Sequence, residues 1–387
     1  MSKQVIYTDR VMVPIAHFSH AVRVGNVIHL GATAGTDAER RLAGATPGLI
    51  DVRAQAEKMF DNARIVLEML GAGLSDVLRV KTYVADLRDI PVYRSCYDGA
   101  FGQVRPNHVV VGSAGFPLPQ AGLELDLVAV IGSSVQRFPA VGDASQAEGR
   151  CHCTAGPVLG PEAAGASFDD AFAHQARTAF EQLEAALAAA GRSPRETVYL
   201  HATLSDARLV EDFGSCFRSW FPKAQPACTV VVAALENPDC MLSLEAFAVA
   251  GGGTPIGVDL VPYALLGPPA MLAGDELYIG GQCGVDEEGG LAGGVEAQTR
   301  AAWSRIRKLL EAVGMTADHI LRTNNILTDW RSYAGFNAGY GANVHKPYPP
   351  RATILGALGL PGALVQIEGI AHRAGDEAVI VQAGAAE

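Results

Sequence analysis

Phe60, Ala63, Leu67 and Leu70 recur three to four residues apart, while Glu57, Lys58, Asp61 and Arg64 fall on the opposite side of a helical period. The stretch reads as an amphipathic helix whose single apolar stripe packs on something flat. Gly71 follows, where a left-handed residue ends a helix. Next comes the β-rich run Val77 to Val84 and then Asp86, placed to cap a second helix that reaches Phe101. Upstream, VRVGNVIHLGATAG sets Gly-Asn between alternating apolar residues, the pattern of a hairpin. Downstream, HVVVGSAG and LELDLVAVIG read as two more strands, so the predicted order is β-β-α-β-α-β-β.

The same order is written three times. Gln55, Gln175 and Gln298 open equivalent helices, Gly71, Gly191 and Gly314 stand sixteen residues on, and Asp86, Asp206 and Asp329 fifteen beyond that. The copies are offset by 120 and 123 residues, too long for a solenoid unit and the right size for a small domain. Three domains are expected, at 1–133, 134–251 and 252–387. In the third copy MLAGDELYIGGQCG repeats the hairpin with Gly-Asp at the turn, whereas AEGRCHCTAG in the second is shortened. CTVVVAAL with LSLEAFAVA, and ATILGALG with VQIEGIAH, supply the later strands of the second and third copies.

Two helices cover one face of each sheet, and the other face must be buried elsewhere. The simplest α+β solution sets three open faces against one another in an intramolecular pseudo-trimer with a central barrel and helices outside, joined by VQRFPAVGD and GGGTPIGVD. Three clefts between copies follow, and fusion frees each to diverge.

Composition supports globular cores: 387 residues are 49% hydrophobic and 7% aromatic. A net charge of −11 with scattered Lys and Arg argues against a nucleic-acid partner, which needs clustered cations. The start, Met-Ser-Lys-Gln-Val, lacks a signal-peptide pattern, and no run approaches the ~18 apolar residues of a membrane span, so a cytoplasmic protein without a membrane partner is expected. Seven irregularly spaced cysteines read as reduced thiols.

The glycine-rich hairpin end GGQCGVD, the Gln-led helix, and the strand start PPRATILG followed by VQIEGIA resemble the Rid family, the reactive-intermediate deaminases also called L-PSP endoribonucleases. The likeness runs through all three copies and is strongest in the third. It implies a chorismate-mutase-like fold, trimeric assembly and ligand clefts between subunits. It also implies an arginine in a Pro-x-Arg turn that binds a substrate carboxylate, a glutamate in the last strand that positions water, and hydrolysis of an imine or enamine to a carbonyl compound and ammonia, with no cofactor or metal. Carried over, the arginine falls on Arg351, the glutamate on Glu368, an asparagine of the second helix on Asn337, and a hairpin-end glutamine on Gln282.

Counting back ten residues from Pro117, Pro238 and Pro361 gives Asn107, Cys228 and Arg351, so one cleft of three keeps the cationic anchor. A planar guanidinium grips a carboxylate through two parallel hydrogen bonds, which asparagine and cysteine cannot do. Asp126 and Glu245 align with Glu368 in the last strands. His20, in a Phe-Ser-His-Ala segment similar to one lining the family cleft, and His108 are further polar groups for the altered clefts, with a place before a strand as the plain alternative for His20. Cys151 and Cys153 share a strand face that His152 leaves, which disfavours a metal site. Gly280 and Gly281 lack the Lys-Ser/Thr of a phosphate loop. The expected function is deamination of a small, carboxylate-bearing imine or enamine, with Arg351 as anchor and Glu368 handling water. The alternatives are a lyase, cyclase or chorismate-hydrolysing enzyme on the same fold, favoured by a wide apolar cleft, and a metabolite-binding or chaperone-like protein.

Overall fold

The computed structural model describes residues 2–132, 134–139, 143–156, 167–259 and 266–382. Six helices pair along the chain: α1 (Val52–Met69) with α2 (Ile90–Phe101), α3 (Phe168–Ala189) with α4 (Val210–Trp220), and α5 (Gly294–Glu311) with α6 (Tyr333–Gly341). Each pair lies on its own sheet. The stripe read from the sequence is the buried face of α1, where Phe60, Ala63 and Leu67 join Val80, Leu125 and Leu127 of the sheet beneath. Gly71, Gly191 and Gly314 have φ of 76°, 69° and 73°, the left-handed ends the sequence called for. Asp86, Asp206 and Asp329 accept hydrogen bonds from the backbone of Arg88, Arg208 and Arg331, capping a short 3-10 turn that leads into the second helix of each pair.

The repeated glutamine has a structural reason. Gln55, Gln175 and Gln298 are buried, and each amide both donates to and accepts from the backbone just before the last strand of its copy. Gln55 reaches Gln120 and Gly122, Gln175 reaches Asp239 and Met241, and Gln298 reaches Gly362 and Leu364. One buried side chain thereby satisfies two backbone groups of the turn that leads into the strand.

The three sheets repeat one topology. The hairpin strands Ala21–Val24 and Val27–Ala34 are followed in space by Leu123–Val130, Val77–Val84 and Asn107–Gly112. Only the last two of these are parallel, joined through α2. In the second copy the hairpin is Asp143–Ala147 and Arg150–Ala155, its second strand six residues long against eight in the other two. Linking strands Gln136–Phe138 and Thr254–Ile256 extend the second and third sheets; residues 140–142 of the first linking stretch lie outside the described residues. Lys3–Tyr7 extends the first sheet and pairs in parallel with Ala378–Gln382, joining the two ends of the chain.

Among the described residues none of the sheets closes on itself. Their helix-free faces instead share cores: Val22, Phe247 and Ile370 belong to one cluster, and Tyr83, Val231 and Ile354 to another. The strand after the second helix of each copy, Asn107–Gly112, Ala227–Val232 and Arg351–Leu355, meets the hairpin of another, and Ala357–Leu358 of the third copy pairs outside Ala227–Val232 in the second sheet. Asn107 bonds Ser145 through its backbone N–H; a Cβ on Gly280 would stand 2.8 Å from the carbonyl oxygen of Cys228; a Cβ on Gly31 would stand 3.0 Å from the nitrogen of Arg351. Gly31 and Gly280 therefore allow a neighbouring backbone to approach where a side chain would block it. No helix among the described residues is long and apolar enough to cross a membrane.

Candidate functional site

Arg351 opens the edge strand Arg351–Leu355 of the third sheet, directly after Pro349 and Pro350. Its guanidinium donates to Asn337 Oδ1 at 2.5 Å and to Tyr333 Oη at 3.4 Å, both on α6. The rings of Tyr340, Phe336 and Phe18 lie 4.6, 5.3 and 5.7 Å from its central carbon. Cation–π contacts of this kind hold the group in place without neutralising it. Arg351 is only 4% exposed, yet Nη1 has no hydrogen-bond partner among the described residues, and no carboxylate there pairs with it. A buried guanidinium with an unbonded Nη1 and no counter-carboxylate is set to receive an anion.

A narrow cleft beside it opens to solvent. Arg351, Tyr333 and Thr353 form one wall, and the first copy supplies the other with Phe18, Ala32, Ala34 and Glu124. Glu124, near the start of strand Leu123–Val130, is 7% exposed and has no hydrogen bond or ion pair among the described residues. Burial alone pushes its carboxyl up to about 8, so it is largely protonated at neutral pH.

Glu368 does not face this cleft. It sits opposite Asn324, and Arg351 opposite Thr323, the preceding residue of the shared neighbouring strand, so the two side chains leave opposite faces of the sheet. Glu368 accepts from Asn324 Nδ2 at 2.8 Å and from Tyr199 Oη, with His201 Nε2 at 3.8 Å. Burial alone would raise its pKa, but His201, Lys81 and the hydroxyls of Tyr199 and Thr229 hold it below the usual value. His201 is itself pushed down to about 4, first by burial and then by Lys81, and is therefore neutral at pH 7; Lys81 and the hydroxyls keep Glu368 ionised there.

Asp126 and Glu245 occupy the same register as Glu368, opposite Lys81 and His201. The three carboxylates meet in one buried network between the sheets. Arg79 bridges Asp126 and Glu245, Lys81 bonds Glu245, and Arg322 reaches Asp126 at 3.2 Å. Burial opposes the ionised forms of Asp126 and Glu245, and the surrounding cations outweigh it, leaving both pKa values lowered.

The register also moves one expected substitution. Arg351 lies opposite Thr323, Cys228 opposite Leu200 and His108, not Asn107, opposite the equivalent Val80. The stretch from Gly112 to Pro117 is one residue shorter than those from Val232 to Pro238 and from Leu355 to Pro361, so counting back from the proline slips by one. Asn107 instead ties the first sheet to the second hairpin, its amide donating to Asp143 O and Thr154 Oγ1.

His108 stacks on Tyr97 at 4.1 Å, and Arg94 donates to its Nδ1 at 2.6 Å. Arginine has no acceptor, so Nε2 carries the ring proton, toward Tyr93 Oη at 2.7 Å. Burial, then Arg94 and Arg79, hold His108 well below its usual pKa, and Arg94 also forks onto Glu236 across the seam. In the remaining cleft Cys228 is a buried thiol pushed up by burial and by Glu368, which disfavours the thiolate. Ser243 and Gln366 stand where Glu124 does, opposite Thr203 and Ile326 as Glu124 is opposite Tyr83, and Gln366 donates to Val230 O.

The remaining predicted residues lie apart from the Arg351 cleft. Gln282 donates to Gly280 O at 2.9 Å and accepts from Arg305, fixing its own hairpin. The Nε2 of His20 meets Met12 O at 2.9 Å, shaping the segment that carries Phe18. Cys151 and Cys153 lie with sulfurs 3.4 Å apart in the helix-side core of the second sheet, while His152 packs on Phe247. Glu124 was missed, although two acids two residues apart in the apolar LELDL are a legible signal on one strand face.

The model of the family described as Endoribonuclease L-PSP matches residues 8–131 and 262–373, more than half of the chain. A RutC family protein of Pyrococcus abyssi is 32% identical over 119 residues, covering 30% of this chain and 89% of the relative. A protein of Dermatophagoides farinae named 2-iminobutanoate/2-iminopropanoate deaminase is 30% identical over 129 residues, covering 33% of this chain and 97% of its own. Among solved structures, a chorismatase matches 77% of this chain and 93% of its own with a TM-score of 0.57 at 12% identity, a likeness of fold. With the family model recovered in the first and third copies, the chain belongs to the endoribonuclease L-PSP family, where its Rid-like motifs had placed it.

Proposed function

We propose that the chain is an intramolecular pseudo-trimer of three Rid-like domains, divided near 1–133, 134–251 and 252–387, which hydrolyses a carboxylate-bearing imine or enamine at one site between the third and first domains. One observation carries this reading. Of the three equivalent pairs of cleft positions, Arg351 with Glu124, His108 with Ser243 and Cys228 with Gln366, the first alone combines a guanidinium with a free Nη1 and a protonated carboxyl. The D. farinae relative's name supports the reaction class.

In this reading Arg351 holds the substrate carboxylate, and Asn337, Tyr333 and the aromatic rings keep the guanidinium aimed. Glu124 gives its proton to the imine nitrogen, which makes the carbon electrophilic. As a carboxylate it then takes a proton from the attacking water, and the carbinolamine forms. Passing that proton to the amine lets ammonia leave as the carbonyl closes and the hydroxyl proton returns to Glu124, so imine and water become carbonyl compound and ammonia with Glu124 protonated again. The role expected of Glu368 passes to Glu124, because Glu368 is ionised, fully bonded and on the other face of its sheet.

A chorismate-hydrolysing reading gains from the largely apolar walls, but chorismate carries two carboxylates and the cleft offers one unpaired guanidinium. The test is ammonia release from imines generated in situ by an amino-acid oxidase, measured against the spontaneous rate. The wild type should accelerate it and Arg351→Ala should not. No acceleration across small and large imines would refute the reading.

A further inference from the structure

With the carboxylate on Arg351 and the C=N group at Glu124, the third substituent of a bound substrate meets the rest of the lining, which apart from Tyr333 and Thr353 beside Arg351 is apolar. Met12, Ile15 and Phe18 come to this apolar wall from the segment before the first hairpin, Pro117 and Leu118 from the turn before strand Leu123–Val130. Not one of these five carries a charge or a side-chain hydrogen-bonding group. Ile15 is 40% exposed and Val13 beside it 44%, so apolar surface continues out to the mouth of the cleft.

Resting on the function proposed above, we infer that the substrate is a 2-imino acid or its enamine with a bulky apolar side chain, branched or aromatic, and that Ile15 and Leu118 select it. Arg351 and Glu124 treat every 2-imino acid alike, since both address groups common to the class. Discrimination must therefore come from the apolar wall. Each methylene buried there favours binding by roughly fourfold, and a polar side chain would lose its water contacts without replacement. A three- or four-carbon imino acid leaves most of the wall wet.

Calorimetry with stable 2-oxo acids, which carry the same carboxylate and side chain, tests this without catalysis. From pyruvate to 4-methyl-2-oxopentanoate and phenylpyruvate, Kd should fall roughly tenfold or more. 2-Oxoglutarate should bind no better than pyruvate. Leu118→Asn and Ile15→Asn, at half-buried and exposed positions where substitutions rarely unfold a protein, should flatten the gradient. Equal affinities, tightest binding of 2-oxoglutarate, or a gradient intact in both variants would overturn the inference. If small imines are still hydrolysed in those cases, only the side-chain preference falls. If no 2-oxo acid binds and no imine is hydrolysed, the catalytic reading falls with it.

Discussion

Arg351 and Glu368 belong to one six-stranded sheet and point to opposite faces of it, because their partners on the intervening strand are the neighbouring residues Thr323 and Asn324. That single step of the pleat separates the cleft beside Arg351 from the buried carboxylate network. On Arg351's side lies a guanidinium whose Nη1 is unbonded among the described residues, and on Glu368's side a network in which each carboxylate has partners. Chemistry needs an uncompensated group, so the side of the sheet decides the role.

The unequal clefts predict unequal binding. Titration with phenylpyruvate should show one event per chain, and Arg351→Ala should weaken it by the ~1.5–3 kcal/mol of a charge-assisted contact, about 10–150-fold. Three equivalent events would contradict the assignment of His108 and Cys228 to altered clefts.

Glu124 sets a pH limit. Burial pushes its carboxyl up to about 8, and the protonated form is the proton donor, so turnover should be level below that pH and fall about tenfold per unit above it. A pH–rate profile from 6 to about 10 checks this. A rate that rises through pH 8 would mean that the carboxylate, acting as a base, is the working form.

The buried network should matter for stability rather than for rate. The first copy brings Arg79, Lys81 and Asp126, the second Glu245, and the third Arg322 and Glu368, so all three copies contribute to one centre in which three cations face three carboxylates. Glu245→Ala leaves the buried Lys81 without a carboxylate and Arg79 with Asp126 alone, and should cost ~3–5 kcal/mol, read from the denaturation midpoint. A change under 1 kcal/mol would show that solvent reaches these groups.

Much of this was legible before the structure. The apolar stripes, the left-handed glycines and the capping aspartates each follow from local chemistry, and the structure keeps them at Phe60, Gly71 and Asp86. What failed to show were relations between distant segments. Alternation along VQIEGIA separates two faces but cannot say which one meets Arg351. The one-residue deletion after Gly112 is invisible until strand pairing replaces the count to Pro117 with a register. Glu124 and Phe18 meet Arg351 across a seam between the first and third copies, and a repeat specifies what the copies are, not which neighbours they touch.

The most direct test of the account compares Glu124→Gln with Glu368→Gln for turnover of imines generated in situ, with 2-oxo acid affinity measured alongside. Glu124→Gln should keep affinity within a few-fold and lose about 10²-fold or more in kcat, as removal of a general acid does. Glu368→Gln, once shown to be folded, should keep kcat within a few-fold. The reverse pattern, full activity in Glu124→Gln and a collapse in Glu368→Gln with affinity retained, would place the chemistry in the buried network and contradict the account.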